Sequence, residues 1–129
     1  MLLDLVNPIL VPSVLLFEGT VVVVEAIVIF LMLERNLGKA FAASFTANLV
    51  TGALSAIYIL FSWGGTHAYP QLVFMFVVGL LVNIFVETGI LKLSFFKEIE
   101  VRRLLKVSMV MNVVSYGILV LYFVYSLGL

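Results

Sequence analysis

The chain has 129 residues, 64% of them hydrophobic and only 11% charged. Soluble domains are about 45–50% apolar and about 25% charged, so an ordinary soluble protein is excluded. Seven basic and seven acidic residues cancel, which argues against nucleic acid as a partner, and the absence of cysteine excludes disulfides and thiolate metal sites.

Four apolar runs account for almost the whole chain, and each is long enough for the roughly 20 residues of a membrane-spanning helix. The runs cover residues 9–33, 40–62, 71–91 and 104–127. The sequence therefore predicts an all-α integral membrane protein of four transmembrane helices, in contact with the lipid bilayer. Residues 1–7 are expected to form a short arm at the outer surface.

The first and third predicted helices each carry a glutamate inside an apolar run, Glu25 and Glu87. At 1.5 Å per residue, Glu25 lies about 13–14 Å from the charged end of its helix, near the middle of a roughly 30 Å hydrocarbon core. Glu18 lies on the same face, closer to the outside. It is either an outer ligand for a cation or a solvated residue at the interface.

The second and fourth predicted helices each carry a polar stripe whose spacing, alternating between three and four residues, places it on one helix face, with Leu119 replacing one polar member in the fourth helix. The stripes contain Ser44, Asn48, Thr51, Ser55, Tyr58 and Ser62 in the second helix, and Ser108, Asn112, Ser115, Tyr122 and Ser126 in the fourth. In hydrocarbon such a stripe must face protein or water. Gly52 and Gly117, beside the stripes, are expected to be points of close helix packing.

These matching positions indicate the internal duplication of a two-helix unit. We expect a first repeat at residues 8–64 and a second at residues 70–128, together forming one membrane domain. Because each repeat crosses the membrane twice, the two hairpins point the same way. The duplication is therefore parallel, with a pseudo-two-fold axis along the membrane normal.

All basic residues flank the first and third connections between helices. They are Arg35, Lys39, Lys92, Lys97, Arg102, Arg103 and Lys106. The positive-inside rule places these connections in the cytoplasm and both termini outside. The membrane that we expect the chain to span is the cytoplasmic membrane. Setting this topology is the role that we expect for the basic residues.

Folding each hairpin at its turn brings Glu25 level with Asn48, and Glu87 level with Asn112. These four residues are predicted to form a ring in the middle of the membrane. The supporting polar residues are Ser44, Thr51, Ser108, Ser115, Glu18 and Asn83. Oxygen ligands suit Na⁺, Mg²⁺ or Ca²⁺, so Glu25 and Glu87 are candidate metal ligands as well as candidate proton sites.

Three functions stay open at this stage. The ring binds or translocates a cation or protons, with a homo-oligomer expected for any conducting pore. Alternatively, the chain is a structural or accessory subunit of a larger membrane complex, and each Glu–Asn pair is a clamp contributing about 1 kcal/mol per interhelical hydrogen bond. In the third reading, the groove between the hairpins binds a lipid or another amphiphile.

Enzyme motifs are missing from the sequence. It contains no His-Glu-x-x-His, no Gly-x-Ser-x-Gly and no glycine-rich phosphate loop, and its single histidine leaves few options for acid–base chemistry. We therefore expect no enzymatic activity and no cofactor other than a bound ion.

Overall fold

A computed structural model describes residues 10–62 and 69–127, and these residues form helices joined by short connections. The helices are α1 (Leu10–Met32), α2 (Leu37–Ser62), α3 (Tyr69–Ile90) and α4 (Val101–Leu127), with a π-helical turn (Leu91–Phe95) at the end of α3. The prediction of an all-helical fold is confirmed over this part of the chain. The arm expected at residues 1–7 lies outside the described residues.

All four helices contain a segment that is long and apolar enough to cross a membrane. The segments are Leu15–Met32, Leu37–Tyr58, Val73–Phe95 and Val101–Tyr122, with mean hydropathies of 2.4, 1.4, 2.2 and 1.9. Only 17–33% of each segment is buried inside the protein. Most of the apolar surface therefore faces outward, where contact with lipid tails avoids the free-energy cost of exposing it to water.

The helices pack in a closed order around the bundle. The α1 helix contacts α2 and α4, and the α3 helix contacts the same two neighbours. The α1 and α3 helices, which carry the two glutamates, therefore lie diagonally across the bundle. A side chain that points inward from either of them reaches the centre, where all four helices meet.

The apolar core lies between the bundle centre and the end that carries the two described connections. It consists of Ile29, Ala40, Ala43, Leu91, Phe96, Leu104, Val107 and Met111. The α2 helix contributes alanines to this core, while α4 contributes larger side chains at the corresponding positions. Small residues allow close approach of the α2 backbone, and the α4 side chains occupy most of the interior volume.

Two basic residues join the ends of different hairpins. Arg103, at the start of α4, donates from Nη2 to the backbone oxygen of Met32, at the end of α1, at 2.9 Å. Lys39, near the start of α2, lies 2.7 Å from the carboxylate of Glu34, and its Nζ lies 4.7 Å from the ring centroid of Phe96. Besides any role in topology, basic residues therefore hold the two connections together at one end of the bundle.

Candidate functional site

Both glutamates of the predicted ring are buried in the bundle. Glu25 is 1% exposed and Glu87 is 2% exposed. Four residues after each of them, Ile29 and Leu91 are also buried. Because residues four apart share a helix face, the same face of α1 and of α3 points toward the bundle centre.

Three side chains donate hydrogen bonds to Glu25. From α2, Ser44 Oγ donates to Glu25 Oε2 at 3.3 Å, and Asn48 Nδ2 donates to the same oxygen. From α4, Ser115 Oγ donates to Glu25 Oε1 at 2.5 Å. Both oxygens of this carboxyl group are therefore occupied, by donors from two different helices, as a buried polar group requires.

Glu87 has fewer partners than Glu25. Asn112 Nδ2 donates to Glu87 Oε2 at 2.5 Å, and no other side chain in the described ranges donates to this carboxyl group. Asn112 Nδ2 also donates to the backbone oxygen of Ser108 at 2.9 Å. Its position on α4 is therefore fixed by its own helix, and the second oxygen of Glu87 stays available to another donor.

The serines one turn before the two asparagines also differ. The single hydroxyl proton of Ser44 is shared, because its Oγ also lies 2.9 Å from the backbone oxygen of Val22, closer than the 3.3 Å to Glu25 Oε2. On the other side, the corresponding oxygen, that of Ile84, accepts from Thr88 Oγ1 at 2.7 Å. Ser108 Oγ is buried without a hydrogen-bond partner in the described part of the chain.

A cavity of about 380 Å³ adjoins both glutamates. All four predicted ring residues line it: Glu25, Asn48, Glu87 and Asn112. From this level the cavity extends past Glu18 toward the end of the bundle that is opposite the two described connections. The polar centre of the bundle is therefore the inner part of a cleft rather than a sealed core.

The supporting residues have separate roles in the structure. Thr51 lines the cavity, but its Oγ1 donates to the backbone oxygen of Ala47 at 3.0 Å, within its own helix. Glu18 lines the outer part of the cavity and is exposed. Asn83 Nδ2 donates to Tyr116 Oη at 3.3 Å.

Tyr116 is a residue that the sequence analysis missed. It lines the cavity and packs edge-to-face on Phe76, with ring centroids 4.7 Å apart. A signal was present, because Tyr116 occupies the position in the second half that Gly52 occupies in the first. The prediction that Gly52 and Gly117 are close-packing points is wrong, since no atom of another described helix lies within 4 Å of a Cβ atom added at either position.

The described residues contain no group of three or more His, Asp or Glu side chains that could hold a metal ion. The assignment of Glu25 and Glu87 as metal ligands stays a prediction. Comparison with models of known protein families, with curated proteins and with solved structures gave no match.

Proposed function

We propose that the chain is an integral membrane protein, built as two parallel-duplicated helical hairpins, that binds a cation or protons at Glu25 and Glu87. One observation carries the proposal: three carboxyl groups, two of them the buried Glu25 and Glu87, and three carboxamide groups line a single cavity among four helices with membrane-spanning length and hydropathy. Placing an ionisable side chain within the hydrocarbon region of a membrane costs free energy, so such a residue is by default a candidate for a functional role. Binding rather than catalysis is the proposed activity.

The charge of the lining favours a positive ligand. Glu18, Glu25 and Glu87 line the cavity, and none of the described residues around it is basic. Side chains with one sign of charge, in a cleft whose walls have a low dielectric constant, concentrate ions of the opposite charge. An anion or a phosphate group finds no matching charge at this site.

The paired hydrogen bonds support the duplication. Asn48 donates to Glu25 and to the backbone oxygen of Ser44, and Asn112 makes the same two bonds to Glu87 and Ser108. Two hairpins thus repeat one local arrangement. Under the positive-inside rule their connections face the cytoplasm, and the cavity faces outward. Translocation across the bilayer would require a second copy or a second conformation to complete the path.

Orientation is testable because the chain has no cysteine of its own. A cysteine introduced at Gly65 is expected to react with a membrane-impermeant thiol reagent on intact cells, whereas one at Gly38 reacts only after the cells are permeabilised. The reverse pattern would place the cavity mouth in the cytoplasm and overturn the proposed topology.

Cation binding is tested by thermal unfolding of the full chain in detergent, with Na⁺, Mg²⁺ or Ca²⁺ added, and separately across pH. A ligand that binds the folded state stabilises it by RT ln(1 + [L]/Kd). The double variant Glu25→Gln/Glu87→Gln is expected to abolish that stabilisation. Glu34→Gln is the matched control, since Glu34 pairs with Lys39 outside the cavity.

The proposal fails if neither cations nor pH change the unfolding temperature of the unsubstituted protein and the double variant behaves identically. The Glu–Asn pairs would then be interhelical clamps. In that case the alternative of a structural or accessory subunit, without an ion site, would be favoured.

A further inference from the structure

The size of the cavity bears on what kind of cation it takes. Its volume of about 380 Å³ is within the range of small-molecule sites, about 300–1,000 Å³. A single water molecule occupies only about 30 Å³, so one inorganic ion would leave most of this space to solvent. The volume therefore suits a molecule with several non-hydrogen atoms.

The lining combines negative charge with apolar surface. The carboxyl groups of Glu25 and Glu87 lie at the inner part of the cavity, while Phe17, Val21 and Leu119 line it, together with the exposed Glu18, toward the outer end of the bundle. A ligand complementary to this lining carries a positive charge at one end and an apolar body at the other. Sites for small organic ligands commonly have this composition, mostly apolar with a few polar groups that fix orientation.

The two glutamates are not equally open to such a ligand. Glu25 already accepts from Ser44, Asn48 and Ser115, and both of its oxygens are occupied. Glu87 accepts from Asn112 alone in the described ranges. An ammonium group carries only hydrogen-bond donors, and a carboxylate offers about four lone-pair sites. Glu87 is therefore the carboxylate with acceptor capacity to spare.

The space for the apolar body comes from a glycine. Gly52 lines the cavity and leaves open space where a side chain would otherwise project. The corresponding position in the second half holds Tyr116, whose hydroxyl is fixed by Asn83. The cavity is therefore wide on the α2 side and bounded by an aromatic side chain on the α4 side.

We infer that the cavity binds a small organic ammonium ion, with its charged nitrogen at Glu87 and its apolar part beside Gly52, between Phe17 and Tyr116. This inference rests on the proposed function, because it specifies the class of cation that the site takes. Glu25 then acts as a positioning residue: it holds Asn48 and Ser115, which line the cavity, in place around the ligand without contacting it.

The test uses the full chain in detergent and measures thermal stabilisation and calorimetric affinity. The probe is n-butylammonium chloride, with 1-butanol as the neutral analogue and NaCl at equal ionic strength as the inorganic control. Saturable binding of n-butylammonium, without binding of 1-butanol, is expected. Glu87→Gln is expected to weaken the affinity at least about tenfold, which corresponds to about 1.4 kcal/mol. The affinity for n-butylammonium should change less in Glu25→Gln.

A second pair of variants tests the location without touching a carboxyl group. Gly52→Leu and Gly117→Leu both place a large side chain in open space on a helix, but only Gly52 lines the cavity. Leucine favours a helix over glycine, so both variants are expected to fold. Gly52→Leu should block n-butylammonium, whereas Gly117→Leu should bind it like the unsubstituted chain.

The outcomes separate this inference from the proposed function. If inorganic cations or pH act through the glutamates but n-butylammonium does not bind, the inference is wrong and the proposed function stands. Binding that survives both Glu87→Gln and Gly52→Leu would place the probe on the outer apolar surface and also overturn the inference. A larger loss in Glu25→Gln than in Glu87→Gln would overturn the assignment of the charged group. If no cation binds and pH has no effect, both proposals fail.

Discussion

The α1–α2 half and the α3–α4 half bury the same pair of side chains, a glutamate and an asparagine, in different surroundings. In the first half Glu25 receives hydrogen bonds from Asn48 and Ser115, and the hydroxyl proton of Ser44 is shared between Glu25 and the backbone oxygen of Val22. In the second half Glu87 receives one bond from the described residues, and Ser108 Oγ has no partner among them. The two halves thus hold one carboxyl group with donors on both of its oxygens and one with a donor on a single oxygen.

The exchange of hydrogen bonds between the halves is one-sided. Ser115, in the second half, donates to Glu25 in the first. Thr51 occupies the corresponding place in the first half, but its hydroxyl donates to Ala47 and Asn48 in its own helix. The α4 helix therefore completes the site of the first half, while α2 gives no such donor to Glu87. Substitutions at matched positions can test each part of this difference.

The largest expected effect on the free energy of unfolding concerns the apolar core, where the second half contributes the larger side chains. Leu104 is fully buried, and its counterpart in the first half is Ala40. Truncating a buried leucine removes contacts and leaves a cavity, so Leu104→Ala should lower the free energy of unfolding by about 2–5 kcal/mol. Unfolding by titration with a denaturing detergent measures this change. Leu93→Ala is the control, since Leu93 is 74% exposed; an equal loss in both would contradict the core assignment.

The next effect compares the two carboxyl groups by stability. Glu25→Gln places an amide NH₂ group among three donors, so at least one donor loses its acceptor, and we expect a loss of about 1–3 kcal/mol. Glu87→Gln can keep its oxygen on Asn112 and turn its NH₂ toward the cavity, so the loss should be smaller. The same detergent titration measures both variants. Equal losses would show that the two carboxyl groups are equally saturated.

A smaller difference is expected for the hydroxyls that flank the carboxyl groups. Ser115→Ala removes the only donor to Glu25 Oε1 among the described residues and should cost about 1–2 kcal/mol. Thr51→Ala removes a buried methyl group and a hydroxyl that bonds only to backbone oxygens of its own helix, and its cost should be smaller, about 0.5–1 kcal/mol. If Thr51→Ala is the more destabilising of the two, the conclusion that Ser115, but not Thr51, donates a hydrogen bond to the carboxyl group of the other half is wrong.

Much of this arrangement follows from the sequence alone. The four helices could be predicted because each apolar run is long and contains few charges. The contacts of Asn48 with Glu25 and of Asn112 with Glu87 could be predicted because a hairpin brings residues at equal distances from its turn to the same depth. Both inferences depend only on helix rise and on hydropathy.

The differences between the halves could not be predicted in this way. A polar stripe defines a helix face, but not the rotation of each helix about its own axis, so nothing indicated that Ser115 would reach Glu25 across the bundle. Hydroxyl partners also depend on side-chain rotamers: Ser44 donates to the backbone oxygen of Val22, whereas the corresponding oxygen, that of Ile84, accepts from Thr88. The cavity beside Gly52 is a volume that no neighbouring side chain fills. The spacing of polar and apolar residues along the sequence does not indicate such a volume.

The smallest expected effect tests the hydroxyl without a partner. Ser44→Ala removes a donor to both Val22 and Glu25 and should cost about 1 kcal/mol. Ser108→Ala removes a buried hydroxyl that has no hydrogen bond in the described part of the chain. Since burying a polar group without a partner is itself unfavourable, Ser108→Ala should leave the free energy of unfolding unchanged or raise it by up to about 1 kcal/mol.

The comparison needs Ser108→Thr as a control, because alanine also reduces the side-chain volume. Threonine keeps the hydroxyl and adds a methyl group to a site next to the core, so it should destabilise by about 1–3 kcal/mol through overpacking. Unfolding in detergent is measured for Ser44→Ala, Ser108→Ala and Ser108→Thr side by side. If Ser108→Ala is as costly as Ser44→Ala, then Ser108 has a partner, and the two halves are more alike than their hydrogen bonds indicate.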